Sequence, residues 1–162
     1  MGVMLMKITT VSEISDVFSI FHDGIIEECV PAGDDIRMRI EIRYLAMWIR
    51  SDYTHFILNL SNVTDVAFRT WPSDLKSEPQ DLYDPSVIFS PKLEILESSA
   101  NDQLVTVVCK QASPDFEYGG GELVFRASAA SVADQGGDEV SLDRLDRICK
   151  EYWEEWSVKN QH

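Results

Sequence analysis

Three histidines and a scatter of carboxylates are the side chains from which catalysis or metal binding could be assembled. His22 and Asp23 sit side by side in Phe21-His22-Asp23-Gly24-Ile25-Ile26, and His55 lies on a later candidate strand. A neutral imidazole can ligate a divalent ion or shuttle a proton, and a carboxylate can fix its tautomer, so His22, Asp23 and His55 form the candidate acid–base or metal set. The spacing argues against both uses. There is no H-x-H, H-E-x-x-H or D-x-D pattern, and adjacent residues in extended chain point apart. The competing expectation is that His22 or Asp23 hydrogen-bonds the backbone of the turn at Gly24. Nucleophilic chemistry has less support still, because no G-x-S-x-G elbow occurs and no cysteine stands beside a glycine turn or a histidine.

Composition narrows the field. The formal charge of −14 over 162 residues repels phosphate backbones and anionic lipid surfaces, which counts against nucleic acid and membrane as partners and favours plain solubility first, then a basic protein partner or a cation. Cys29, Cys109 and Cys149 are odd in number and far apart, with neither a disulfide framework nor a zinc spacing, as expected of reduced thiols in a cytoplasmic protein. No metal and no cofactor is expected. Residues 1 to 7 lack the basic and long apolar regions of a signal peptide and read as a leader to the first strand, with Met4 or Met6 as alternative starts.

The elements that would carry these groups follow from periodicity. Ile14, Val17, Phe18 and Phe21 recur at helical spacing, giving a short helix from Ser12 to Phe21 that Gly24 ends. Ile25 to Val30 is a strand, and Pro31 to Asp34 is a turn. From Asp35 to Tyr44, Ile36, Met38, Ile40 and Ile42 alternate with Arg37, Arg39, Glu41 and Arg43, one side buried and one wet. Arg37, Arg39 and Arg43 thus form a basic stripe in an acidic chain, either paired with carboxylates on neighbouring strands or free to meet an anion or partner. Residues 44 to 49 continue the apolar run, 53 to 59 resume as a strand, and 63 to 71 read as its hairpin return.

Four prolines fall in residues 72 to 91, which predicts a long surface loop without regular structure, folded back through Leu82, Val87, Ile88 and Phe89. Trp71 and Tyr83 flank or lie within it and are its candidate binding anchors. Residues 93 to 97 and 103 to 110 form a hairpin whose second strand is apolar on both faces and so central. Gly119-Gly120-Gly121 reads as a hairpin turn ahead of a strand from Glu122 to Ala127, since neither the helix nor the lysine of a phosphate loop follows it. After a loose segment from Ser128 to Glu139, Ser141 caps a helix to Val158 with Leu142, Leu145, Ile148, Cys149, Tyr152, Trp153 and Trp156 on one face. Strands in succession closed by one helix predict a single α+β domain, a mostly antiparallel sheet in the form of a twisted sheet, sandwich or open barrel.

The Phe21-His22-Asp23-x-x-Ile26 stretch, with the alternating run from Ile36 to Ala46, resembles small acidic bacterial domains opening with a Phe-His-Asp-x-x-Ile signature, among them immunity proteins of polymorphic toxin systems. The resemblance covers residues 18 to 50. It implies a cytosolic β-rich binding protein without catalysis that masks a toxin by complementary charge and shape, and it transfers no binding residues. A homodimer formed through an open sheet edge is the remaining expectation.

Overall fold

The computed structural model describes residues 8–72, 76, 78–113 and 118–159, so the leader expected at residues 1 to 7 lies outside the described residues. The first helix, α1 (Val11–Ile20), starts one residue earlier than the apolar spacing predicts. Thr10 and Glu13 cap each other reciprocally: the Thr10 hydroxyl accepts from Glu13 N–H at 3.1 Å, and Glu13 Oε1 accepts from Thr10 N–H at 3.2 Å. Ile14, Val17 and Phe18 on its inner face are fully buried.

Strands β1 (Ile25–Ala32) and β2 (Asp35–Glu41) make a hairpin tighter than expected, with Pro31 and Ala32 still paired and Gly33 alone taking a left-handed φ of 63°. β2 alternates buried Ile36, Met38 and Ile40 with exposed Arg37, Arg39 and Glu41, as its sequence dictates. It stops short of the expected end. Ile42 turns inward, 3% exposed, and the chain folds into a helical turn, α2 (Arg43–Ala46), which buries Leu45 and Ala46. The apolar run from Tyr44 is therefore a helical turn rather than continued strand, and Arg43 leaves the stripe.

Strand β3 (His55–Ser61) follows, but β4 (Thr64–Pro72) is not its hairpin return. Asn62 and Asp65 take left-handed φ values of 51° and 56°, and the chain redirects so that β4 pairs with β8 and β5. Within the expected loop the described residues include β5 (Asp81–Leu82) and a helical turn, α3 (Pro85–Ile88), capped by Asp84. Proline at the first helical position loses no hydrogen bond, which is why Pro85 starts structure here. The segment does fold back, through fully buried Ile88.

The hairpin β6 (Leu93–Asn101) and β7 (Leu104–Gln111) places β7 between β6 and β8 (Tyr118–Arg126), a central position. The three glycines lie inside β8 and make no turn. A Cβ on Gly121 would stand 2.2 Å from the Arg69 carbonyl oxygen and 2.7 Å from the Phe68 ring, so glycine is what lets β4 close on β8. The segment after Ser128 is likewise ordered as β9 (Ala129–Asp134) and β10 (Glu139–Val140). Helix α4 (Leu142–Lys159) is the last described element, its N-terminus capped as expected by the Ser141 hydroxyl, which accepts from Arg144 N–H at 3.1 Å.

Among the described residues the strands form one ten-stranded sheet in the order β10-β9-β3-β2-β1-β6-β7-β8-β4-β5, antiparallel at every pairing and not closed. The fold is α+β, with a short N-terminal and a longer C-terminal helix. β2 and β8 are four places apart, about 19 Å in a flat sheet. Ile36 and Met38 nevertheless line one apolar gap with Leu123 and Phe125, so the sheet curls on itself. α1 fills the hollow, with Phe18 against Phe125 at 5.7 Å and Phe21 stacked on Phe56 at 5.2 Å between ring centroids. The two outermost strands are two residues each. No helix among the described residues is long and apolar enough to cross a membrane.

Candidate functional site

The Phe-His-Asp-Gly stretch is the joint between α1 and the sheet. His22 Nδ1 donates to the Ser19 carbonyl at 2.8 Å, closing the helix end. Asp23 adopts a left-handed φ of 70° and its N–H donates to the Ile95 carbonyl at 2.7 Å. A Cβ at Gly24 would meet the Phe21 carbonyl oxygen at 2.8 Å and the Ile40 side chain at 2.9 Å, so only glycine seats the turn against β2. His22 Nε2 lies 3.9 Å from Asp23 Oδ2, too long for a hydrogen bond. His55 is elsewhere, on the outer face of the sheet in a groove with Arg37 and Arg39. The structure thus brings His22 to Asp23 but not to His55. Among the described residues no three His, Cys, Asp or Glu side chains gather where they could hold an ion.

What His22 does meet is Trp153 of α4, the two rings stacked at 5.4 Å with 17° between planes. Tyr44 of α2 joins them: its hydroxyl donates to the His22 carbonyl at 2.9 Å, and its ring lies 4.4 Å from Tyr152 and 6.1 Å from Trp153. Burial, and then the charge of Asp23, push the Tyr44 hydroxyl well above the usual phenol range, so it serves as a neutral donor. Trp156 meets Trp153 edge-on at 5.7 Å between centroids. The aromatic stripe of the last helix is therefore core at Leu145 and Ile148, half-buried at Tyr152 and Trp153, and open at Trp156, which is 49% exposed.

At that open end the described surface carries an apolar patch. Met47 and Trp48 leave α2 with 49% and 36% exposure and, with Tyr152, Glu155, Trp156 and Lys159, line a groove of about 520 Å³. Lys159 is held by Glu155 at 2.9 Å, whereas Glu151 and Glu154 have no ion pair among the described residues. Toward the start of α4 the character changes to an acidic cleft against α1, about 430 Å³, lined by Asp16, Asp143 and Asp146. One helix thus presents an aromatic groove and an acidic cleft along its length. Sequence reasoning missed Met47 and Trp48, because the run from Tyr44 reads as strand until Ile42 is seen to cap a helical turn.

The remaining expected binding residues are dispersed. Trp71 lies on β4 at 40% exposure and Tyr83 follows β5 at 67%. Arg37 and Arg39 stay together on the outer face of β2, and Arg43 is exposed on α2. The cysteines show no activation: burial pushes the Cys29 and Cys109 thiols up to about 12, and burial with the Asp146 charge raises Cys149. The fold and this surface define a curled antiparallel α+β sheet protein with a half-covered aromatic helix. The chain matches no family model, no curated protein and no solved structure.

Proposed function

We propose that the chain is a non-enzymatic, cytoplasmic protein-interaction module, of the immunity type its Phe21-His22-Asp23-x-x-Ile26 stretch resembles, and that it binds a basic protein through the exposed length of α4. The observation that carries this reading is the groove formed by Met47, Trp48, Tyr152 and Trp156, with a separate acidic cleft nearer the start of α4 lined by Asp143 and Asp146 and by Asp16 of α1. Exposed tryptophans beside half-buried tyrosine are the side chains from which interface hot spots are built, because each buries a large area at low entropic cost. The flanking carboxylates and the −14 charge supply steering toward a cationic partner.

The test is affinity capture from a lysate of the source cell with the wild-type chain beside a Trp48→Ala/Trp156→Ala double variant, both checked for an unchanged melting midpoint. A basic protein retained by the wild type and lost with the variant, its association slowing as salt rises, is the expected result. Retention of nothing, or equal retention by both chains, would sink the reading.

A further inference from the structure

A second surface is built on the outer face of the sheet. β1 carries a bulge between Ile26 and Glu28, so Glu27 is the extra residue in its register with β2. Ile26 and Cys29 both turn toward the core, which leaves Glu27 and Glu28 together on the outer side. Glu27, only 13% exposed, is taken by Lys92 at 2.7 Å. Glu27 also shares a hydrogen bond with Glu41 of β2, while Glu28 reaches Arg39 at 3.9 Å, a loose pair with both side chains about half exposed.

Arg37 receives less. Its cross-strand partners are Val30 on β1 and Asn59 on β3, neither of them acidic, and it has no ion pair among the described residues. Cross-strand neutralisation of the basic stripe therefore fails at Arg37. Around it Glu28, Val30, Arg39, His55 and Ile57 line a groove of about 310 Å³. A trough of about 340 Å³ shares Arg37 and Ile57 and runs on past Asn59 to the end of β9, where Asp134 also lines it, its Oδ1 accepting from Asp138 N–H at 3.0 Å.

We propose that this groove binds a small organic monocarboxylate, its carboxylate held by Arg37 and Arg39 and its apolar body laid on Ile57 and Val30. Arg39 has Glu28 at 3.9 Å and feels the charges of Glu27 and Glu41, whereas Arg37 has no carboxylate in ion-pair reach among the described residues, so an anion completes the charge pairing that the strands leave open at Arg37. A planar fork of donors fits a carboxylate in bidentate fashion. Val30 is 46% exposed on a strand, an apolar surface that an apolar ligand would cover. A singly charged ligand suffers least repulsion from the −14 chain, which disfavours phosphate and polyanions. Burial and the neighbouring Arg39 lower the His55 pKa, so its ring offers a neutral hydrogen bond to the same ligand. The volume stands at the small end of ligand pockets, fitting a metabolite-sized acid.

The site lies on the face opposite the core side and uses none of the residues of the α4 surface, so either assignment can fail without the other. The test is an NMR titration of the whole chain with benzoate to about 20 mM at constant ionic strength, with benzamide and inorganic phosphate as parallel probes. Saturable shifts at Arg37, Arg39, His55 and Ile57 with benzoate, and weak or no shifts with the other two, are expected. Arg37→Gln and Arg39→Gln should each weaken benzoate about tenfold with an unchanged melting midpoint, while Arg43→Gln leaves it as it was. No saturable shift, equal binding by Arg37→Gln, or phosphate or benzamide binding as tightly as benzoate would overturn the assignment.

Discussion

His22 and Trp153, separated by most of the chain, lie ring on ring with centroids 5.4 Å apart, so the turn that opens the sheet is clamped by the helix that ends the described structure. The clamp gives both residues a structural role. His22 uses its Nδ1 to close α1 and its face to receive the indole, while Trp153 is also edged by Tyr152 at 5.1 Å and by Trp156 at 5.7 Å.

Truncating that indole should be costly. Removing a core aromatic costs about 3–5 kcal/mol, and Trp153 is half-buried, so Trp153→Ala should lose about 2–3 kcal/mol in urea unfolding. Its buried N–H makes no well-formed hydrogen bond among the described residues and faces only the weakly accepting Cys149 sulfur, so Trp153→Phe, which removes that group, should lie within about 1 kcal/mol of wild type. Equal losses for the two variants would show that ring area has little to do with the clamp.

Glycine positions should separate by what surrounds them. Gly121→Ala places a methyl group 2.2 Å from the Arg69 carbonyl oxygen, a backbone atom that cannot yield without parting β4 from β8. Its cost should reach the upper end of the overpacking range of about 1–3 kcal/mol or exceed it. Gly24→Ala, meeting a carbonyl oxygen at 2.8 Å and the Ile40 side chain at 2.9 Å, should fall within that range. At Gly33 nothing lies within 4 Å, and alanine there meets only the strain of a φ of +63°, about 1 kcal/mol. Chemical denaturation ranks the three, and Gly33→Ala as the worst would contradict the register described above.

The Lys92 and Glu27 pair predicts a pH dependence. The Lys92 ammonium holds the Glu27 carboxyl below its usual range, while Glu27 itself, by hydrogen bonding, raises Glu41. A depressed carboxylate contributes stability that is present above its unfolded pKa and is lost as pH falls through the folded value; a raised one contributes below its unfolded pKa and loses it as pH rises through the folded value. Lys92→Met should therefore be less stable than wild type near pH 7, by about 1 kcal/mol after allowance for the half-exposed lysine. The gap should close below about pH 4, where Glu27 is protonated in the unfolded chain and gains its proton in the folded one. A gap constant from acid to neutral pH would mean that the lysine stem, rather than its charge, supports the bulge.

The groove at Met47, Trp48 and Trp156 and the groove at Arg37 differ in how far they could be foreseen. Arg37 and Arg39 were legible as an outward stripe, because alternation in β2 is a property of seven consecutive residues. Whether any carboxylate would stand opposite them was not, since that depends on a one-residue bulge at Glu27 and on which strands flank β2. Trp48 was misread along with its neighbours, for an apolar run of that length suits a buried strand and a helical turn alike.

Local pattern determined much of this protein: the helical spacing of α1 and α4, the two-residue period of β2, the central place of doubly apolar β7, the antiparallel α+β class and the acidic exterior are all set by residues near one another in the chain. Strand order, the curl that wraps the sheet around Phe18 and Phe21, the placing of three glycines inside β8 and the ordering of residues 129 to 140 were decided only in three dimensions. Each depends on contacts between residues far apart in the chain, as the glycines show. A glycine triplet is locally a turn, and becomes a strand only when a neighbour such as Phe68 needs the space its missing side chains leave.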